Sequence, residues 1–294
     1  MFELVQVGQH TYYIEYPSKI GIYKPYDNGD VYLIDSGNDG RISKRVLKII
    51  SEQGWKIKGI FNTHCHADHV GGNAWLQQET GCKIYVPDID CGAVNYPVLN
   101  SILLYGAYPM SELANKFYMA EKSNALPLSE ADMPEGLEWF PLYGHTLGMV
   151  GFKTSDNVLF IADSVASREV LEKYTVTYLI EVGKYLETLD NLEKMEGRLF
   201  IPSHSAPVEN IRELTEINKE YVNRILSEIL EFCREPRLTY EVTKYFFDNN
   251  KVIFNMMQAA LVGSTVRSYL TYLKEMGKIG MEYIDNCVYW LLKY

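Results

Sequence analysis

Residues 63–72 read Thr-His-Cys-His-Ala-Asp-His-Val-Gly-Gly and place three imidazoles and one carboxylate within six consecutive positions. The chain has six histidines in all, and two of the others, His145 and His204, lie in short turns flanked by glycine or proline. Imidazole nitrogens and carboxylate oxygens are ligands for divalent metals such as zinc. This concentration of ligand types indicates a metal site.

The backbone around the motif favours an arrangement that serves two metals. Residues 58–62 form an apolar, strand-like run that leads into it. His64 and His66 are two positions apart, so on extended backbone their side chains project to the same side. Asp68 and His69 follow at the point where the chain is predicted to enter a helix. One short segment can therefore supply ligands to two neighbouring metals.

The rest of the chain alternates between strand and helix patterns. Residues 4–34 contain short alternating runs separated by turn signals, which predicts antiparallel strands. Further strands are predicted over residues 58–62, 82–86, 137–141, 151–154, 158–161 and 198–201, and helices over residues 42–53, 72–79, 182–194 and 209–233. The mixture predicts an α+β protein whose first unit ends near residue 235.

Residues 88–125, here called the insertion segment, break that rhythm. Tyrosine, methionine and proline are interspersed among leucines, which predicts a helical insertion. Its role is open between a lid over the metal site, a homodimer contact and additional core. Because tyrosine and methionine are typical of adaptable apolar pockets, we predict that this segment controls substrate choice.

Composition narrows the function classes. Five cysteines, an odd number without a Cys-x-x-Cys pair, argue against a disulfide framework and favour a reducing cytoplasm. No signal peptide is predicted at the amino terminus, and no run approaches the ~20 apolar residues of a membrane span. The formal net charge of -10 argues against a polyanionic partner such as nucleic acid.

The motif of residues 63–72 resembles the metal-binding signature of the metallo-β-lactamase superfamily, in its glyoxalase II-like form. Later elements of the signature follow in the expected order. His145 lies in the sequence GHTLG, where Leu147 stands in place of the usual proline, and Asp163 follows the strand-like FIA. His204 lies in IPSHS, where the family more often has glycine after the histidine.

This resemblance covers residues 1–235 and implies an αββα sandwich with a dinuclear metal site. By the family pattern, His64, His66 and His145 hold the first metal, Asp68, His69 and His204 hold the second, and Asp163 bridges the two. The resemblance implies two divalent ions, zinc foremost and iron or manganese as alternatives, about 3.5–4 Å apart. A hydroxide bridging the ions would be the nucleophile, with Asp68 and Asp163 as catalytic carboxylates.

Two residues near the motif have open roles. Asp35 ends a strand before Ser-Gly and matches an early Ile-Asp-x-Gly element of the family. It is either a turn former or a residue that orients metal ligands. Cys65 lies between two predicted ligands and is expected to point away from them as an inert buried thiol.

Residues 236–294 follow a different pattern, with helices over 240–249 and 264–276 and a β-hairpin around Asp285 and Asn286. This order resembles a small winged-helix domain, a class that includes DNA-binding proteins. Residues 237–294 carry a net charge of only +2, too weak a basic surface for binding phosphates. We therefore expect an appendage for packing or dimerisation, and we do not expect a nucleic-acid partner.

These observations predict a cytoplasmic, dinuclear metal-dependent hydrolase that acts on a small molecule. A thioester or related acyl compound is the preferred substrate class, as in glyoxalase II-like enzymes. The first alternative is an oxidoreductase that resembles the persulfide dioxygenases, which share the THCHADH pattern but hold one iron with two histidines and an aspartate. The second alternative is a DNA-binding regulator with a vestigial enzyme domain.

Overall fold

The computed structural model describes residues 2–250 and 252–293. Its larger sheet has seven strands in the spatial order in which they occur along the chain. They are β1 (Leu4–Gln6), β2 (Thr11–Ile14), β3 (Ile20–Tyr23), β4 (Asp30–Ile34), β5 (Lys56–Phe61), β6 (Lys83–Val86) and β7 (Ala125–Pro127). The pairings from β1 to β4 are antiparallel, whereas those from β4 to β7 are parallel.

The second sheet has four strands in the order β11-β10-β9-β8. These are β8 (Leu137–Pro141), β9 (Val150–Thr154), β10 (Val158–Ala162) and β11 (Leu199–Pro202), of which β10 and β11 are parallel. Side chains from both sheets pack between them, and the rings of Phe61 and Phe152 have centroids 5.9 Å apart. Fully burying one such aromatic side chain contributes roughly 1.5–3 kcal/mol.

Helices cover the outer face of each sheet. They are α1 (Gly40–Glu52), α2 (Ala67–Val70), α3 (Asn73–Thr80), α4 (Asp88–Asn95), α5 (Val98–Tyr105), α6 (Arg168–Tyr174), α7 (Val182–Leu192), α8 (Arg212–Phe232), α9 (Thr239–Asn249) and α10 (Met256–Glu275). On one side, Val46 and Ile50 of α1 pack with Ile60 of β5. On the other, Leu189 of α7 and Ile225 of α8 belong to the core beneath β10 and β11. The result is the predicted αββα sandwich.

Helix α1 illustrates how the sequence specifies these elements. The Asp39 carboxylate accepts hydrogen bonds from the backbone N–H groups of Arg41 and Ile42, which caps the start of the helix. The helix ends before Gly54, whose φ of 73° is in the left-handed region that glycine adopts at low cost. Between them, apolar residues at helical spacing face the sheet.

The insertion segment is helical only in its first half. Helices α4 and α5 span residues 88–105, turns follow, and Ala125 already belongs to strand β7, which pairs with β6. The short strand β7 and helix α6 were not predicted from the sequence. Strand β7 has only three residues, too few for a recognisable pattern.

The carboxyl-terminal region forms a small sheet, β12-β14-β13, beside α9 and α10. Strands β13 (Ile279–Ile284) and β14 (Cys287–Leu292) form the predicted hairpin, and β12 (Arg237–Leu238) pairs with β14. Asp285 and Asn286 both have positive φ, as a type I′ turn requires. The prediction that the second helix begins at residue 264 was wrong. Helix α10 starts at Met256, where the Asn255 side chain caps it.

This region is not separated from the sandwich by a gap in packing. Phe246 of α9 and Tyr269 of α10 share one continuous apolar core with Leu189 and Val222. Helix α10 also packs against α5 of the insertion segment. The domain boundary at residue 236 and the winged-helix resemblance stay predictions. In the described part of the chain, no helix combines the length and apolar character needed to cross a bilayer.

Candidate metal centre

All seven predicted ligands lie at one edge of the sandwich, where several strands end. Strand β5 ends three residues before His64, Asp163 directly follows β10, and His204 lies two residues after β11. His145 comes from the loop between β8 and β9. Because β5, β10 and β11 all end at this edge, residues far apart in the sequence meet in one small volume.

The ligands form two adjoining groups. The first ligand group is His64, His66 and His145, and the second ligand group is Asp68, His69, Asp163 and His204; in each group the ligand atoms lie within 4.8 Å of one another. His145 Nε2 is 3.0 Å from His66 Nδ1. His204 Nε2 is 3.2 Å from Asp68 Oδ2. These separations suit atoms that share a small cation.

Asp163 lies between the two groups. Its Oδ1 is 3.2 Å from His69 Nε2, and its Oδ2 is 3.3 Å from His204 Nε2. The same Oδ2 is 3.5 Å from His145 Nε2, which belongs to the first ligand group. A carboxylate that borders both groups is in the place where a bridging ligand is needed.

Unpaired buried atoms support a cation site. Within the described residues, His64 Nε2, His69 Nε2 and Asp163 Oδ1 are buried without a hydrogen-bond partner. Buried polar atoms are nearly always paired, so three such atoms at one place need an explanation. His69 Nε2 and Asp163 Oδ1 are close but poorly aligned for a hydrogen bond, as expected for two atoms directed at a common ion. The residues present therefore fit a pair of divalent cations.

The electrostatics of the first ligand group favour neutral imidazoles. Burial lowers the pKa of His66 to about 3. Burial and the neighbouring imidazoles hold the pKa of His64 well below its usual value, and burial lowers the pKa of His145. Neutral imidazole is the form that binds a metal, so this group is ready to bind without losing protons.

The second ligand group is different because carboxylates surround its imidazoles. The charge of Asp163 raises the pKa of His204 to about 10. Burial alone would lower the pKa of His69, but the carboxylates of Asp68, Asp163 and Asp35 raise it well above the usual value. In the metal-free protein both imidazoles carry protons at pH 7, and these protons occupy the place of a cation.

We expect metal loading of the metal-free protein at pH 7 to release about two imidazole protons per chain, one each from His69 and His204, in addition to the proton given up by water that the metals activate. Calorimetric zinc titrations in buffers of different ionisation enthalpy measure this number. The His204→Gln variant should release about one proton fewer. His64→Gln, the matched control, should release as many as the unaltered chain, because His64 is already neutral. Equal release by both variants would contradict the assignment.

Comparison with known proteins identifies the family. A family model described as "Metallo-beta-lactamase superfamily" matches residues 14–204, more than half of the chain. The chain belongs to the metallo-beta-lactamase superfamily. The resemblance stated from the sequence motifs is thereby confirmed.

Relatives and solved structures agree with this assignment. The chain is 31% identical over 123 residues to a hydroxyacylglutathione hydrolase of Rhodopseudomonas palustris, covering 42% of this chain and 39% of the relative. It is 27% identical over 192 residues to one from Shewanella loihica, covering 63% of this chain and 60% of the relative. The chain thus matches less than two thirds of the length of either relative.

The fold similarity extends through the carboxyl-terminal region. The crystal structure of a beta-lactamase domain protein from Burkholderia ambifaria matches with a TM-score of 0.75 and 16% identity, covering 99% of this chain and 94% of that one. At this identity the match shows the fold alone. It includes α9, α10 and the small sheet as well as the superfamily sandwich.

Asp35 orients imidazoles in both groups, which resolves its open role. The residue is buried, with a positive φ of 64°, and its Oδ2 is 2.7 Å from His69 Nδ1. The same oxygen accepts a 2.8 Å hydrogen bond from Thr63 Oγ1, which is itself 3.0 Å from His64 Nδ1. Carboxylates that hold the far nitrogen of a histidine ligand fix its orientation and tautomer. In this superfamily member Asp35 directs the Nε2 atoms of His64 and His69 into the site.

A buried lysine that the sequence did not reveal, Lys19, supports the backbone on both sides of His204. Lys19 Nζ donates hydrogen bonds to the backbone carbonyls of Ser205 at 2.7 Å and Ser203 at 3.4 Å, the two neighbours of His204. Burial lowers the pKa of Lys19. A lysine in a turn before β3 has no motif around it, so nothing in the sequence singled it out.

The insertion segment is hydrogen-bonded to the metal motif, a contact that the sequence did not reveal. Asp90 Oδ2 accepts hydrogen bonds at 3.2 Å from both the backbone N–H of Cys65 and Oγ1 of Thr146. Asn100 Nδ2 donates to the Cys65 carbonyl at 3.1 Å, and Asn100 Oδ1 accepts from the Cys65 Sγ at 3.2 Å. Two side chains of the insertion thus hold the backbone between His64 and His66. The acidic residue Asp90 among apolar neighbours was the sequence feature that could have indicated this contact.

An apolar cavity of about 230 Å³ opens beside the first ligand group. His66, Asp68 and His145 form its polar end, and residues of α4, α5 and the turns after α5 form most of its wall. The insertion segment therefore lies next to the metal centre of this superfamily member, and it also adds to the core through Cys91, Val94 and Leu113.

Proposed function

We propose that this chain is a metal-dependent hydrolase with two divalent cations, zinc foremost, acting on a small thioester or related acyl compound. One observation carries the proposal, namely two complete ligand groups that share the buried carboxylate of Asp163. The names of the hydroxyacylglutathione hydrolase relatives support an acyl compound as substrate. Superfamily membership supports metal dependence.

The side chains of the site have separable tasks in this reaction. His64, His66 and His145 would hold one cation and Asp68, His69 and His204 the other, with Asp163 between them. When bound, such a pair polarises the scissile carbonyl and makes water nucleophilic near neutral pH. Asp35, through Thr63 and His69, keeps the imidazoles oriented. The adjoining cavity excludes water from the acyl group and positions its carbonyl.

The iron-dependent alternative needs only two histidines and one aspartate. Because those enzymes share the THCHADH residues, the ligand residues alone do not separate the two functions, and the hydrolase is preferred because the relatives are named hydroxyacylglutathione hydrolases. The DNA-binding alternative is also disfavoured, because α10 packs against both α5 and α7 instead of standing free for a groove. A cytoplasmic location, which the odd number of cysteines in the sequence favours, stays part of the proposal.

Elemental analysis of the purified protein, combined with a substrate panel, tests the proposal. We expect about two zinc-like ions per chain and turnover of thioesters in preference to lactones and phosphodiesters. If the protein holds one iron per chain and consumes oxygen with persulfide substrates, it is an oxidoreductase and the hydrolase assignment is wrong. Salt-dependent binding to duplex DNA without turnover would favour the regulator instead.

A further inference from the structure

The wall of the cavity beside the first ligand group is apolar over most of its surface. Its main apolar members are Ile89, Ala93, Leu104, Phe117, Leu147 and Leu261. They come from three parts of the chain: the insertion segment, the loop that carries His145, and helix α10. Leu147 stands where the superfamily usually has proline. Several separate elements thus converge on one apolar volume.

Charge in the cavity is exclusively negative among the described lining residues. No lysine or arginine lines it, and its two acidic members are Asp68 and Asp90. The Asp90 carboxylate is engaged by Cys65 and Thr146. Tyr118 has its hydroxyl directed to the Met257 carbonyl, 3.3 Å away. Asp68 is a proposed metal ligand, so a carboxylate at the far end of an acyl chain would find no lysine or arginine among these residues, and burying an unpaired charge is costly.

We propose that this cavity binds an uncharged, aliphatic acyl chain of medium length and thereby sets the substrate class of the site. The proposal rests on the proposed function. With the chain in the cavity, its thioester carbonyl lies at the polar end formed by His66, Asp68 and His145. A volume of about 230 Å³ holds about seven or eight groups the size of a water molecule. The best acyl chain therefore has about six to eight carbons.

A series of thioesters with one common thiol, N-acetylcysteamine, measures this preference. From acetyl to octanoyl, kcat/KM should rise by about three- to four-fold for each methylene that the cavity buries, and then level off or fall. A hexanoyl thioester and its analogue with a terminal carboxylate form a matched pair. We expect the carboxylate analogue to be at least about 100-fold poorer, because its charge finds no partner in the cavity.

Point substitutions test the cavity better than a shortened insertion segment does. Shortening would remove Asp90 and Asn100, which hold the backbone of the metal motif. Ala93→Phe fills the cavity and should lower the ratio of hexanoyl to acetyl turnover. Leu104→Ala enlarges the cavity and should make a longer acyl chain the best substrate. This second variant keeps the test informative if Ala93→Phe prevents folding. Leu99→Ala, on an exposed position of the same helix α5 that does not line the cavity, is the control. It should leave the chain-length profile unchanged.

Binding of the hexyl thioether of the same thiol, which cannot be hydrolysed, separates the two proposals. Calorimetry should detect the hexyl compound and find the methyl compound much weaker. If the hexyl compound binds but no thioester is hydrolysed, the proposed function is wrong and the cavity assignment stands. Thioester turnover with an acetyl preference, or with equal rates for hexanoyl and its carboxylate analogue, would overturn the cavity assignment and keep the hydrolase.

Discussion

Replacing Asp163 with asparagine is expected to lower kcat/KM by about 1,000-fold, roughly 4 kcal/mol of transition-state stabilisation. The Asp163 carboxylate lies within 3.5 Å of imidazole nitrogens from both ligand groups, so it supplies negative charge to both cation positions. An amide supplies only a partial charge and one suitable oxygen. Steady-state kinetics with elemental analysis should show lost turnover and loss of at least one cation.

The fold should survive this substitution, because Asp163 is not part of the apolar core that holds the two sheets and their helices together. Asp156→Asn is the matched control at the opposite end of strand β10. Its carboxylate accepts hydrogen bonds from His10 and Thr11, and so serves the fold alone. The control should lower the melting temperature while keeping both cations and turnover. Full metal content and full turnover in Asp163→Asn would show that the bridging role is wrong.

Single strands and turns could be predicted from the sequence because their signals are local, whereas the αββα arrangement was implied by the family resemblance. The apolar run of β5 and the hairpin turn at Asp285 each involve neighbouring residues whose preferences agree. The seven candidate ligands were also recognisable, since four of them lie within six positions. The distances between these ligands could not be predicted, because they depend on where separate strands end.

The supporting residues escaped prediction for a related reason. Lys19 and His204 are far apart in the sequence and meet only because β3 and β11 belong to facing sheets. Asp90 and Asn100 act on the backbone of Cys65, and a contact with backbone leaves no pattern in side-chain identity. Asp35 was recognised only in part. Its position in a turn suited a turn former equally well, and its hydrogen bond to His69 could not be read from the sequence. The start of α10 was misplaced because Gly263 and Ser264, residue types common at helix starts, lie inside the helix.

Hydrolysis is expected to proceed without a nucleophile from the protein. The nearest candidates are otherwise engaged: Ser164 Oγ is buried and donates to the Ile161 carbonyl at 2.6 Å, and burial raises the pKa of the Cys65 thiol well above its usual value. The five imidazoles of the site all belong to the ligand groups, so none is free to activate a hydroxyl. Protein quenched in acid during turnover should therefore carry no acyl adduct on serine or cysteine when examined by mass spectrometry. A single turnover in oxygen-18 water should place one label in the acid product, which excludes attack by a protein carboxylate.

Chelation and two variants complete this test. Removing divalent cations with a chelator should reduce turnover by at least about 1,000-fold, and adding zinc should restore it. Ser164→Ala and Cys65→Ala should both retain metal and most of their turnover, because neither side chain forms a bond to the substrate. A covalent acyl adduct on serine or cysteine would refute direct attack by water, as would unlabelled acid in the first turnover. Turnover that resists chelation would refute the metal dependence itself, since the remaining side chains offer no other way to activate water.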